Sequence, residues 1–230
     1  TTSNVHDISE LQSLVESNRV DGMLLTRALE DDRALQYLSQ VNFPTALTGT
    51  CRYDNIIQVD TDNEGAAEKM TTLLIGKGFR RFAFLVKNMS YNVDRKRHEG
   101  FCRALIKNGI SEKDQLFYNG SIRMEFLDAI IENIISKKVE CIICGDDEIC
   151  TMVMSRLQAE GYRIPKDVAI ASLYNSTNLD CYSPAVTAVS VAASQMGGAA
   201  VRQLIQRLRG ENYEKKTMLD YDILFRKSTN

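Results

Sequence analysis

The stretch CIICGDDEICTMVMSRLQAEGYRIPKDVAIASLYN, Cys141 to Asn175, reads in one run as strand, acidic turn, helix, glycine turn, proline loop and second strand. The run from Cys141 to Cys144 is short and compact, as expected of a strand covered on both faces. Asp146 and Asp147 follow where strand gives way to helix. One carboxylate can cap the helix N-terminus, and the other can face the crevice beyond the carboxyl ends of the strands, where open α/β sheets bind ligands.

Working outward, the rest of the 230 residues repeats the alternation. Helices are expected over Ile8 to Ser17, Asp31 to Gln40, Asp62 or Asn63 to Gly76, Asp94 to Lys107, Phe126 to Ser136 and Ser194 to Arg209. Strands are expected over Gly22 to Thr26, Thr45 to Thr48, Ile56 to Asp60, Phe82 to Val86, Leu116 to Tyr118 and Tyr221 to Phe225. Alternation of this kind implies α/β architecture, with parallel sheets covered by helices on both faces. No flexible linker interrupts it, so two lobes would be joined by chain crossing directly between them.

Composition narrows the chemistry. A content of 44% hydrophobic and 25% charged residues supports a sizeable core. A net charge of -2 removes the electrostatic case that these residues themselves grip a phosphate backbone. No apolar run approaches the roughly 20 residues of a membrane span, and the N-terminal TTSNVHDISE has no signal-peptide pattern, so a cytoplasmic location is expected. Cys102, Cys141, Cys144, Cys150 and Cys181 read as reduced, small hydrophobes on apolar faces or beside strands. Cys141 and Cys144 have C-x-x-C spacing, but a strand sends residues three apart to opposite faces. With only His6 and His98 available, neither a metal nor any other cofactor is expected.

Several segments resemble, in order, the effector-binding core of the LacI/GalR family of transcription regulators: VDGMLL from Val20, DNEGA from Asp62, GKGFRRFAFL from Gly76, RHEGFCRAL from Arg97, ICGDDEIC from Ile143, EGYRIPKDVAIASL from Glu160, SPAVTAV from Ser183, SQMGGAAVRQLI from Ser194 and RKST from Arg226. The resemblance implies a periplasmic binding protein-like type I fold: two doubly wound parallel-sheet lobes joined by three crossing strands, with a small sugar-like or other metabolite bound in the cleft. It places residues 1–60 and 191–219 in one lobe and 61–190 and 220–230 in the other. By the family pattern these residues lack a first strand-helix-strand and the helix-turn-helix head. An exposed sheet edge and an apolar helix face follow, and the chain alone is expected to fold poorly.

The resemblance also supplies candidate effector contacts. Arg97, three before Gly100, occupies the position of a family arginine that reaches the cleft, where a guanidinium grips hydroxyls or a carboxylate; the alternative is a solvated arginine beside Arg95, Lys96 and Arg103. Asp146 matches the family's polar strand-end residue, and Asp147 the aspartate expected to cap the helix. Tyr174 stands where the family places an acid that bonds a sugar hydroxyl, which implies a less hydroxylated ligand or a cleft departed from sugars, or else simple packing between lobes. Thr48 with Gly49, Asp60, Ser121 with Ile122, and Tyr91 are further candidates, each also readable as a turn or crossing residue.

The function implied is the sensor core of a homodimeric, ligand-responsive transcription regulator, with DNA read by a helix-turn-helix outside these residues and no membrane partner. A solute-binding protein of a sugar transporter shares the fold and is the alternative. An enzyme is disfavoured because the chain has no G-x-G-x-x-G opening a helix after a strand, no Walker motif, no G-x-S-x-G and no histidine placed as a base.

Overall fold

A computed structural model of the chain describes residues 7–120 and 124–230. Its elements run α1 (Ser9–Glu16), β1 (Met23–Leu25), α2 (Arg33–Gln40), β2 (Thr45–Thr48), β3 (Ile57–Thr61), α3 (Asn63–Gly76), β4 (Phe82–Val86), α4 (Asn92–Lys107), β5 (Leu116–Asn119) and α5 (Met124–Ser136). They continue with β6 (Cys141–Cys144), α6 (Asp147–Ala159), β7 (Ala169–Ser172), α7 (Thr177–Cys181), β8 (Thr187–Val191), α8 (Ala193–Leu208), β9 (Lys216–Leu219) and β10 (Tyr221–Leu224). The chain divides into two compact units: residues 1–61, 90–93 and 192–220 form the first, and 62–89, 94–191 and 221–230 the second.

In the second unit a six-stranded sheet runs β10-β8-β7-β6-β4-β5. Its strands are parallel except β10, which pairs antiparallel with β8. The pleat deals alternate residues to opposite faces. Phe82, Phe84, Cys141 and Ile143 pack with Met70, Leu74, Phe101 and Leu105 of α3 and α4. Ala83, Leu85, Ile142 and Cys144 pack with Leu127, Ile131, Val153 and Leu157 of α5 and α6. Cys141 and Cys144 therefore lie on opposite faces, which removes them as a vicinal pair. The buried core also holds Cys150, whereas Cys181 is exposed, contrary to the apolar setting expected for it.

The first unit is a parallel four-stranded sheet, β1-β2-β3-β9. Ala46, Ile57 and Val59 face Ala199, Ala200 and Leu204 of α8, and Leu47 with Ile56 faces Leu35 and Leu38 of α2. Among the described residues β1 pairs with β2 alone, and Val201, Ile205 and Leu208 of α8 are each 41% exposed. An open edge and a bare apolar helix stripe are thus features of this unit.

The sequence reading missed β8 and β9, and it implied parallel pairing throughout where β10 runs antiparallel. β9 (KTML) is short and has an exposed residue at every other position, so nothing marks it as apolar. Only Asp220 separates β9 from β10, so no crossover helix intervenes, and β10 joins the other sheet antiparallel to β8.

The last residues are held by a buried hydroxyl network. Ser228 Oγ donates to Ile170 O (2.6 Å) and accepts from Thr187 N (2.8 Å), and Thr187 Oγ1 lies 2.6 Å from Thr229 Oγ1. Ser228 is completely buried. Ser228→Ala would leave an amide and a carbonyl without this partner, and equilibrium urea unfolding is expected to show a loss of about 1–3 kcal/mol.

Candidate functional site

Three strands of the second unit end side by side, and each end carries polar groups. β4 leads into Lys87 and Asn88, β6 into Gly145 and Asp146, and β7 into Leu173, Tyr174 and Asn175. Gly145 is needed for the close packing of these ends, because a Cβ there would stand 2.9 Å from Val86 Cγ1 and 3.0 Å from Leu85 O.

Arg97 reaches this edge from the second turn of α4. It is 7% exposed, so it is not the solvated helix arginine that the basic neighbours suggested. Its Nε donates to Asn63 Oδ1 at 3.2 Å, and Nη1 donates to Gly145 O at 2.6 Å. One turn earlier, the buried Asp94 accepts the Asn88 amide at 3.0 Å. Burial raises the Asp94 pKa above the usual carboxylate range, against the opposing pull of the Asn88 N–H and the Arg97 charge.

The raised pKa means the folded state binds the Asp94 proton more tightly than the unfolded chain does. That stability is present at low pH and is lost as pH rises through the folded-state value. Asp94→Asn is therefore expected to raise the melting temperature at pH 7. The gain should fade below about pH 4, where the unfolded carboxylate is itself protonated, as thermal melts across that range would show.

Asp146, and not Asp147, caps α6: its Oδ1 accepts Ile149 N at 2.9 Å. The reason is backbone geometry, because Asp146 keeps extended dihedrals while Asp147 is already the first helical residue. The other oxygen of Asp146 pairs with Lys87 at 2.8 Å, and Lys87 also bridges to Glu148. Burial works against the charge on Lys87, but its bonds to these two acids win and its pKa rises.

At the end of β7, Ser172 Oγ donates to Tyr174 O (2.7 Å) and accepts Tyr174 N (3.3 Å), fixing the backbone of a half-buried tyrosine. The Tyr174 hydroxyl bonds no described residue. Asn175 is committed elsewhere, its Oδ1 accepting from Arg226, which also pairs with Asp180. Arg97, Asp146 and Tyr174 thus share one end of one sheet.

The remaining candidates lie elsewhere. Thr48 and Asp60 end the neighbouring strands β2 and β3 of the first unit, with Asp60 Oδ1 accepting the Thr61 amide at 2.8 Å. Tyr91 belongs with the first unit, bridged to Leu29 and lying under the Arg27 guanidinium at 5.4 Å. Ser121 and Ile122 lie outside the described residues. Sequence reasoning overlooked Lys87, Asn63 and Asp94; the i, i+3 spacing of Asp94 and Arg97 on α4 was the available signal.

Other reactive-looking groups are accounted for. Burial lowers the His98 pKa, and Cys102, whose Sγ is 3.5 Å from His98 Nε2, is pushed up to about 11 by burial, so its thiol stays protonated near neutrality. No helix among the described residues is long and apolar enough to cross a membrane.

The family model of the periplasmic binding protein-like domain matches residues 71–229. The chain belongs to that family. Among curated relatives of this periplasmic binding protein-like chain, the HTH-type transcriptional regulator CelR of Thermobifida fusca is 26% identical over 224 residues, covering 95% of this chain and 66% of the relative. Catabolite control protein A of Staphylococcus xylosus is 24% identical, covering 93% of this chain and 65% of the relative. The chain thus spans about two thirds of the length of these relatives. Among solved structures, a LacI transcriptional regulator of Bacillus cereus subsp. cytotoxis superposes with a TM-score of 0.86 at 29% identity, covering 95% of this chain and 79% of that one. A complex of the regulator CelR with cellobiose gives 0.84 at 26%, covering 95% and 69%. The relatives are LacI-type transcription regulators and not enzymes, and the fold of this periplasmic binding protein-like chain is that of their effector-binding domains.

Proposed function

We propose that the chain is the effector-sensing core of a LacI-type transcription regulator of the cytoplasm. It takes up a small metabolite, for which the candidate contacts are Arg97, Asp146 and Tyr174 in the second unit and Thr48, Asp60 and Tyr91 in the first. Occupancy shifts the balance between arrangements of a homodimer, and so alters how DNA-reading segments outside these residues engage an operator. The observation that carries this reading is Arg97: a cation held buried at the carboxyl ends of β4 and β6, where open parallel sheets receive ligands.

The site favours a neutral, partly apolar ligand. Both oxygens of Asp146 and the side-chain oxygen of Asn175 are occupied by protein partners, which leaves neutral groups, the Tyr174 phenol and the Asn175 NH2, at the end of β7. A glycoside presenting an apolar ring face fits a phenol better than an anion does beside Asp94, Asp146 and Glu148. The test is a thermal-shift screen of sugars, disaccharides such as cellobiose, sugar phosphates, nucleobases and amino acids, because binding to the folded state alone raises the melting temperature. A neutral saccharide is expected to produce a saturable shift that Tyr174→Ala reduces. If no compound of these classes shifts the melt, the sensor reading falls.

A further inference from the structure

A cavity of about 990 Å³ lies in the second unit at the opposite end of the sheet from Arg97. Its walls are three turns: Lys77 to Arg81 before β4, Lys138 to Glu140 before β6, and Glu160 to Asp167 before β7. These are the amino-terminal ends of the strands, so an effector at the carboxyl ends makes no use of them.

The charges around this groove do not cancel. Its acids are paired with arginines: Glu140 pairs with Arg81 at 2.8 Å and also accepts the Arg80 and Arg81 amides, Glu160 pairs at 2.7 Å with Arg156, which it shares with Asp128, and Asp167 pairs with Arg163 at 2.7 Å. Its lysines have no such partner among the described residues. Lys77 is held by neutral groups only, the Thr229 carbonyl at 3.3 Å, the Asn230 side chain and the face of Phe225. Lys138 and Lys166 form no ion pair with any described residue. Three ammonium groups with no ion pair to a described residue, one from each turn, therefore border a single groove. The half-buried Tyr162 also lines it, and its hydroxyl bonds no described residue.

The backbone gives a second, independent sign. Lys138 has φ 53° and is, among the described residues, the sole one other than glycine or asparagine in the left-handed region. The matching turns of the same groove use Gly78 (φ 105°) and Gly161 (φ 82°), where no Cβ opposes the conformation. A lysine kept at a position that favours glycine points to a use for its ammonium group.

We propose that this groove binds a small, multiply charged phosphorylated metabolite, with Lys138, Lys166 and Lys77 on its phosphates and Tyr162 and Phe79 against its uncharged part. The site is separate from the effector site and does not depend on the sensor reading.

Inorganic pyrophosphate is the probe, titrated at constant ionic strength into the ¹⁵N-labelled chain. Saturable amide shifts confined to residues 77–81, 138–140 and 160–167 are expected. Lys138→Gly separates a ligand role from a structural one, because it relieves the turn while removing the charge: the melting temperature should rise or hold while pyrophosphate affinity falls about tenfold, the worth of one charge-assisted hydrogen bond. Lys166→Ala, in an exposed loop, should weaken binding without lowering the melting temperature. The proposal is overturned by shifts that never saturate, by shifts centred on residues 87–88 and 145–147, or by undiminished affinity in both variants.

Discussion

Arg97→Ala is expected to lower the unfolding free energy by about 3–5 kcal/mol, the cost of removing one partner from a buried charged cluster. The substitution withdraws the donors that reach Asn63 Oδ1 and Gly145 O, and it takes from the buried Asp94 the cation that opposes its raised pKa. Two consequences distinguish this from loss of packing. The damage should be greater at pH 7 than at pH 3, because protonated Asp94 no longer needs a counter-charge. Arg97→Lys should recover only part of the loss, since a single ammonium cannot reproduce the planar donor set that spans Asn63 and Gly145. Denaturant titrations of the three proteins at both pH values measure all of this. Equal losses at the two pH values would show that the guanidinium is not compensating Asp94. Effector binding in these variants is to be compared with each variant's own melt, so that lost stability is not mistaken for a lost contact.

Gly100→Ala should cost about 3 kcal/mol, at the upper end of ordinary overpacking. A Cβ at Gly100 would overlap the carbonyl oxygen of Glu64 and stand 3.0 Å from the Cβ of Ala67, so α3 and α4 touch backbone to backbone here. The obstacle is main chain and cannot rotate away, so α4 must shift. Arg97 lies on that helix less than one turn before Gly100, and its bonds to Asn63 and Gly145 would stretch with it. Urea melts should therefore show destabilisation, and effector affinity should fall although Gly100 touches no ligand. The same substitution at Gly76, where an added Cβ meets nothing within 4 Å, should leave affinity unchanged. A Gly100→Ala protein as stable as its parent would contradict the close helix contact.

Much of this was legible in the chain. The run from Cys141 to Cys144, the aspartates after it and the glycine turns specify a buried strand feeding a capped helix, because period, capping and φ > 0 are local properties. β9 and β10 were harder. KTML carries no apolar run, and whether a four-residue strand joins one sheet or another depends on neighbours distant in sequence. The cap on α6 shows the same limit at the scale of one residue. DD offers two candidate caps, and the extended backbone of Asp146 with Lys87 waiting beside it selects the first.

What the amino-acid order alone determined is the succession of strands and helices, the sidedness of each strand and the positions where only a small residue fits, since these follow from nearest-neighbour sterics and burial. Only the tertiary structure decided that Arg97 is a buried anchor and not a surface charge. It alone gave the Asn175 side-chain oxygen to Arg226 while leaving the Tyr174 hydroxyl uncommitted, and brought three lysines without ion-pair partners from three separate turns to one groove. Hydrogen-bond partners and electrostatic balance are set by what lies across space, and residues far apart along the chain become neighbours only once the sheet is assembled.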